Sequence, residues 1–243
     1  ISFDLRGFGK SEGRRGHVAR FDRYLEDVEQ VICFFKQTLS GVRFFLVGHS
    51  LGGLIAARYA QTRPDGVDGI ALSAPALGLR IPVPHPVHRI IHLLGKMAPE
   101  FEINPYQLIA RARQIPLLKR FVPCQISRPE DPLTPSRYSF GWVKELIIHS
   151  KEAMHLAERV TVPTLCLCGE KDPVIHPDTV RTFLNRTAAV NKEWLLFPEA
   201  DHCLLHPESP AAVINALIGW LKRNSLPGET RNAAIKSLSD RVP

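Results

Sequence analysis

Val42-Arg43-Phe44-Phe45-Leu46-Val47-Gly48-His49-Ser50-Leu51-Gly52-Gly53 is the stretch that decides the fold of this chain. Its centre, Gly48-His49-Ser50-Leu51-Gly52, is a G-x-S-x-G, the pattern of a serine presented on a sharp turn between a strand and a helix. The run before it is apolar, β-branched and aromatic, as a buried strand requires. The run after it, Leu51 to Thr62, is rich in Ala, Leu and Ile and reads as a helix. Small residues flank the serine because a turn this tight leaves no room for a nearby Cβ. Such a turn holds the hydroxyl out at the carboxyl end of a sheet, with the helix N-terminus beneath it.

Outward from this turn, strand and helix patterns alternate. Strands are expected at Ile1–Leu5, Arg43–Val47, Gly69–Ser73, Thr164–Cys168 and Glu193–Phe197, and helices at Phe21–Leu39, Leu51–Thr62, Pro177–Asn185 and Pro210–Asn224. This alternation predicts an α/β fold, a mostly parallel sheet flanked by helices. The chain's 243 residues, 44% of them hydrophobic, suffice for one such domain with an insertion. The third and fourth strands are separated by about ninety residues, far more than one crossover needs. Prolines from Pro82 to Pro135 punctuate that gap, with short apolar-basic helices between them at Val87–Met97, Gln107–Gln114 and Gly141–Glu158. The expected organisation is a core of residues 1–76 and 159–224, a helical cap inserted at 77–158 over the sheet's carboxyl edge, and a polar tail at 225–243 that frays. The cap's Ile90, Ile91, Leu93, Leu94, Met97, Leu117, Leu118 and Phe121 suit either an acyl chain or the cap's own core.

Net charge is +7, spread over residues such as Arg14, Arg15, Arg89, Arg111, Lys119 and Arg120. No nucleic-acid-binding module accompanies it, so nucleic acid is not expected as a partner. A basic face suits a solvated surface, or contact with an anionic membrane surface. No apolar run approaches the length of a membrane span. Cys33, Cys124, Cys166, Cys168 and Cys203 form an odd set without framework spacing and read as buried free thiols. That points to a reducing, cytoplasmic setting, peripheral at the membrane if the basic face is used.

Serine is a weak nucleophile at neutral pH and needs a base, which in turn needs an orienting acid. In this kind of fold the acid and then the base follow the serine along the chain. Asp172 is the candidate acid, in Gly169-Glu170-Lys171-Asp172-Pro173, just beyond the strand at Thr164–Cys168. Glu170 competes but lies closer to the strand end, where it faces solvent. His202 is the candidate base, in Glu199-Ala200-Asp201-His202-Cys203, after the last strand. Among the other histidines, His49 is expected to point away from the serine, and His176 and His206 lie near the right places. His85, His88 and His92 belong to the inserted segment. Asp201 is a poor orienter for its own neighbour. The backbone N–H of Leu51, directly after the serine, is the candidate oxyanion donor. A second donor usually comes from an upstream His-Gly loop. No such loop precedes Ser50, and the Gly-rich stretch Gly7–Gly13 follows a different strand. This chemistry needs no metal and no organic cofactor.

Taken together, Phe3-Asp4-Leu5-Arg6-Gly7-Phe8-Gly9-Lys10-Ser11-Glu12-Gly13, Gly48-His49-Ser50-Leu51-Gly52-Gly53, Gly169 with Asp172, and Asp201-His202 resemble the α/β-hydrolase superfamily. More narrowly the chain resembles the monoacylglycerol lipase and lysophospholipase L2-like branch, with its serine aminopeptidase-type domain. The stretches Gly13–Val18 and Ser73–Leu77, and Asp131-Pro132-Leu133, fit that branch too. The resemblance covers about residues 1–224. It implies Ser50, Asp172 and His202 as a catalytic triad, Leu51 as an oxyanion donor and a lipid-facing cap. The implied activity is hydrolysis of single-chain glycerolipid esters, lysophospholipid or monoacylglycerol, through an acyl-enzyme. An aminopeptidase or thioesterase of the same fold, and a silent binding protein, remain as alternatives. The departure from the family is at the start: members carry three earlier strands and the His-Gly loop ahead of the Asp4 strand. The chain therefore reads as N-terminally truncated, with an interior strand absent and sheet edges left unpaired.

Overall fold

Short runs rich in apolar residues pair into one four-stranded parallel sheet. The computed structural model describes residues 1–39, 41–78, 80, 85–115, 131–206 and 209–226. The elements, in order, are α1 (Asp22–Thr38), β1 (Phe45–His49), α2 (Leu51–Thr62), β2 (Gly69–Ser73), α3 (His85–Met97), β3 (Glu102–Ile103) and α4 (Pro105–Gln114). They continue with β4 (Tyr138–Ser139), α5 (Phe140–His155), a 3-10 turn at Ala157–Arg159, β5 (Thr164–Gly169), α6 (Pro177–Arg186), β6 (Lys192–Phe197) and α7 (Ala211–Ser225). By contact, the chain divides into two compact units, residues 1–34 with 79–152, and residues 35–78 with 153–243.

The second unit holds the sheet. Its strand order is β1-β2-β5-β6, all parallel, with Val47 opposite Ala71, Ala71 opposite Leu165 and Leu165 opposite Glu193. Every residue of β2 and β5 is buried, as expected of strands flanked on both edges. Ala71, Leu165 and Leu167 pack with Val213 and Trp220 of α7, and the Trp220 ring meets Phe45 edge-on at 5.6 Å. Alternation turns Cys166 and Cys168 to the opposite side of β5, where both are also buried. Helix α2 packs on β1 and β2, and α6 on β5 and β6. Because the strands are parallel, the loops leaving β1, β5 and β6 emerge at one edge, the edge that carries sites in open α/β sheets.

The first unit is built around the loop at residues 7–17. Ser139 N–H donates to Gly16 O at 3.0 Å, and a Cβ on Gly16 would meet Arg137 O at 2.1 Å, so only glycine fits there. Arg14 pairs with Glu100 at 2.7 Å and with Glu102 at 3.0 Å, beside the short antiparallel pair of β3 and β4. Phe21 N–H donates to Glu145 of α5 at 2.8 Å, and the Phe21 ring stacks on His149 at 4.2 Å.

Several expectations change. Ile1–Leu5 is not a strand: Ile1 is 88% exposed, and Asp4 turns the chain by accepting Lys10 N–H at 2.8 Å. A strand needs a ladder partner, and among the described residues none pairs with this segment. β1 starts at Phe45 rather than Arg43, because Phe44 N–H is taken by the Asp68 carboxylate at 2.8 Å. The thiols are not uniformly buried, since Cys33 and Cys203 are exposed. Cys33 falls off the buried stripe of α1 (Tyr24, Leu25, Val28, Ile32), and Cys203 sits on a loop. Leu117, Leu118, Lys119, Arg120, Phe121, Cys124 and most of the polar tail lie outside the described residues. Among those described, no helix is long and apolar enough to cross a membrane.

Candidate active site

The turn after β1 is strained where the motif requires strain. Ser50 has φ 51° and ψ −111°, a backbone conformation that costs a non-glycine residue on the order of 1–3 kcal/mol. The neighbours hold it there. Ser50 N–H donates to Ser73 O at 2.9 Å, and Ser50 O accepts from Ala76 N–H at 3.0 Å and Leu54 N–H at 3.1 Å. A Cβ on Gly48 would lie 2.2 Å from Gly52 O, and one on Gly53 would lie 2.8 Å from Pro75 Cβ. The glycines therefore let strand, helix and the segment after β2 close on the serine. Leu51 is the first residue of α2, so its N–H is among those that a helix start leaves without an intrahelical partner.

Asp172 follows β5 and is 1% exposed, yet every side of its carboxylate is engaged. Oδ1 accepts Val174 N–H at 2.7 Å and Ile175 N–H at 2.9 Å, which fixes the side chain in its own turn. Oδ2 accepts His202 Nδ1–H at 2.9 Å. The other ring nitrogen, Nε2, accepts the Ser50 hydroxyl at 3.1 Å. Burying a carboxylate is tolerable only with such partners.

Acid and base loops are stitched together beyond the strands. Glu170 N–H donates to Phe197 O at 3.0 Å, and Lys171 N–H donates to Ala200 O at 3.1 Å, continuing the β5–β6 ladder into the loops. Gly169 permits this: a Cβ there would meet Ala200 O and Asp201 O, each at 2.3 Å. On the far side of His202, Asp201 Oδ1 accepts Cys203 N–H at 2.9 Å.

The sheet edge thus brings Ser50, Asp172 and His202 into one hydrogen-bonded chain, with Leu51 beside them at the helix start. Glu170, His176 and His206 are exposed, His176 lying 3.7 Å from Asp178. His88 and His92 line a groove in the first unit. His49 is the residue that sequence reasoning undervalued. Its ring packs against that of His202 with centroids 4.9 Å apart, and its Nδ1 lies 3.2 Å from Ser73 Oγ. Burial and then the charge of His202 push the His49 pKa down to about 4, so a neutral ring adjoins the base at neutral pH. Ser73-Ala74-Pro75-Ala76 was also undervalued: it supplies two of the contacts that hold Ser50, and Ala74 itself has φ 41°. The signal was present as a run of small residues directly after a buried strand. Burial lifts the Cys168 thiol to about 12, which makes it inert beside this site.

Chemically, the arrangement can draw a proton from Ser50 to Nε2 while Asp172 holds the imidazole in the required tautomer. The family model for serine aminopeptidase, S33 (Hydrolase_4) matches residues 1–209. The chain belongs to this family. Within the S33 serine aminopeptidase family and its α/β-hydrolase fold, the chain is similar to phospholipase YtpA of Bacillus subtilis, 30% identical over 196 residues, 79% of this chain and 73% of that one. It is similar to lysophospholipase L2 of Escherichia coli, 25% identical over 259 residues, 97% of this chain and 75% of that one. Among solved structures it resembles the crystal structure of Paleococcus ferrophilus monoacylglycerol lipase, with a TM-score of 0.72, 30% identity, and coverage of 92% of this chain and 83% of that one.

Proposed function

We propose that this protein is a serine ester hydrolase that cleaves single-chain glycerolipids, monoacylglycerol or lysophospholipid, through an acyl-enzyme. The observation that carries the reading is the relay from Asp172 through His202 to Ser50, mounted on a strained turn at a helix start. The names of the relatives, a phospholipase, a lysophospholipase and a monoacylglycerol lipase, supply the substrate class.

In this reading His202 Nε2 takes the Ser50 proton as Oγ attacks the ester carbonyl. The Leu51 N–H, aligned with the α2 dipole, stabilises the oxyanion. His202 then protonates the departing glycerol oxygen, leaving the acyl group on Ser50. Water, deprotonated by His202, attacks the acyl-enzyme and releases the fatty acid. Asp172 remains ionised throughout and stabilises the imidazolium.

The inserted segment 77–158 is the lipid-facing part in the same proposal. Along α3, Val87, Ile90 and Met97 are 41%, 55% and 75% exposed, and Arg89 and Lys96 accompany them on the helix. An exposed apolar stripe with basic neighbours suits peripheral contact with an anionic membrane surface. Co-sedimentation with vesicles checks this: more protein pellets with phosphatidylglycerol-containing vesicles than with pure phosphatidylcholine, and equal or absent binding would refute it.

The family description favours a second reading, an aminopeptidase. Rates on a monoacylglycerol, a lysophospholipid, an acyl thioester and an aminoacyl amide decide between them. The proposal predicts the highest kcat/KM on a glycerolipid ester. A higher value on the aminoacyl amide would reverse the assignment.

A further inference from the structure

Helices α3 and α5 approach closely at one point, where a Cβ on Gly95 would lie 2.8 Å from Lys144 Cβ. Beside that contact runs an open groove of about 520 Å³, within the size range of small-ligand sites. Ile91 and Leu93 of α3 and Ile147 and Ile148 of α5 give it an apolar lining. Arg89 and Lys96 of α3 and Lys144 and Lys151 of α5 add positive charge along it, and among the described residues that line it there is no aspartate or glutamate. Lys144 is paired with Glu145 at 3.2 Å, which leaves the excess to Arg89, Lys96 and Lys151.

This combination selects its ligand. A polyanion without apolar surface would leave the isoleucines in water. A neutral lipid would leave the cations with no complementary charge. A single alkyl chain ending in an anion satisfies both.

We propose that this groove is a binding site for a long-chain carboxylate, a fatty acid anion. The described residues that line it belong to the first unit, whereas Ser50, Asp172 and His202 belong to the second. Under the ester-hydrolase reading the ligand is the product of the reaction, and only that link rests on the reading; the lining of the groove stands without it.

The test is competition against cis-parinaric acid fluorescence in Ser50→Ala protein, with decanoate and decanol as competitors. It reads binding alone, so its failure and a failure of the hydrolase reading are told apart. The expected result is one saturable equivalent of cis-parinaric acid, displaced by decanoate at least about tenfold more effectively than by decanol. The double variant Lys96→Glu/Lys151→Glu, its helicity checked by circular dichroism, weakens binding by about tenfold or more. Absence of saturable binding, equal competition by decanol, or affinity untouched by the charge reversal would overturn the proposal.

Discussion

The packed face of the sheet and the helices α3 and α4 treat their apolar side chains in opposite ways. In the sheet unit, Leu165, Leu167, Val213 and Trp220 are at most 1% exposed, and among the described residues the non-glycine positions with positive φ are Ser50 and Ala74, at the serine turn and the turn that holds it. In the helical unit, Ile90, Leu93, Met97 and Leu108 are each at least 50% exposed, on helices rich in arginine and lysine. The difference separates apolar residues that build a frame from those left on a surface. In the first case burial stabilises a rigid edge on which a serine, a histidine and an aspartate hold their places. In the second the apolar surface stays exposed, which the proposed function assigns to lipid.

The largest break in this contrast is made at the site. Asp172→Asn keeps the size of a buried side chain but removes the charge that holds His202 in its tautomer. Esterase kcat falls by about 10⁴-fold, measured on a short-chain ester. A loss under tenfold would show that Asp172 does not orient the base.

Leu165→Ala empties space at the centre of the sheet. Urea unfolding should report a loss of about 2–5 kcal/mol. A value below 1 kcal/mol would mean the strand is less tightly packed than its burial indicates.

Acid sharpens the comparison next. The pKa of His49 is lowered by folding, so the unfolded chain binds a proton that the folded chain refuses between its ordinary value of 6.5 and about 4. The stabilisation is therefore complete above 6.5 and is lost as pH falls toward 4, on the order of 3 kcal/mol in all. Unfolding free energies from pH 7.5 to 4.5 should fall less steeply in His49→Asn than in the parent; identical slopes would contradict the assignment.

The smallest effect belongs to the helical unit. Met97→Ala should change stability by no more than about 0.5 kcal/mol, because Met97 is 75% exposed. A loss comparable to that of Leu165→Ala would place Met97 in a core.

Much of the sheet unit was legible because its signals are local. Gly69–Ser73 and Leu51–Thr62 have the boundaries their patterns imply, and the serine turn announces itself by its glycines. That Asp172 and His202 would come together with Ser50 was legible because each follows an apolar strand and chain order restricts the choice. The failures were non-local. Ile1–Leu5 alternates like a strand, but pairing needs a partner that no pattern within the segment reveals. The two-residue strands β3 and β4 are brought together by the arginine and glycine of a distant loop. The approach of His49 to His202 joins residues 153 positions apart, and nothing in the spacing signals it. The exposed Cys33 was a missed local signal, since the helical period of α1 already turns it off the buried stripe.

The central claim is that Ser50 is a nucleophile activated by His202 and Asp172. The direct measurement is mass spectrometry of the purified protein after treatment with a fluorophosphonate. The account predicts one adduct, on the peptide containing Ser50, absent in Ser50→Ala and formed at least about 10²-fold more slowly in His202→Asn. An adduct that persists in Ser50→Ala, or forms as fast without His202, would contradict it.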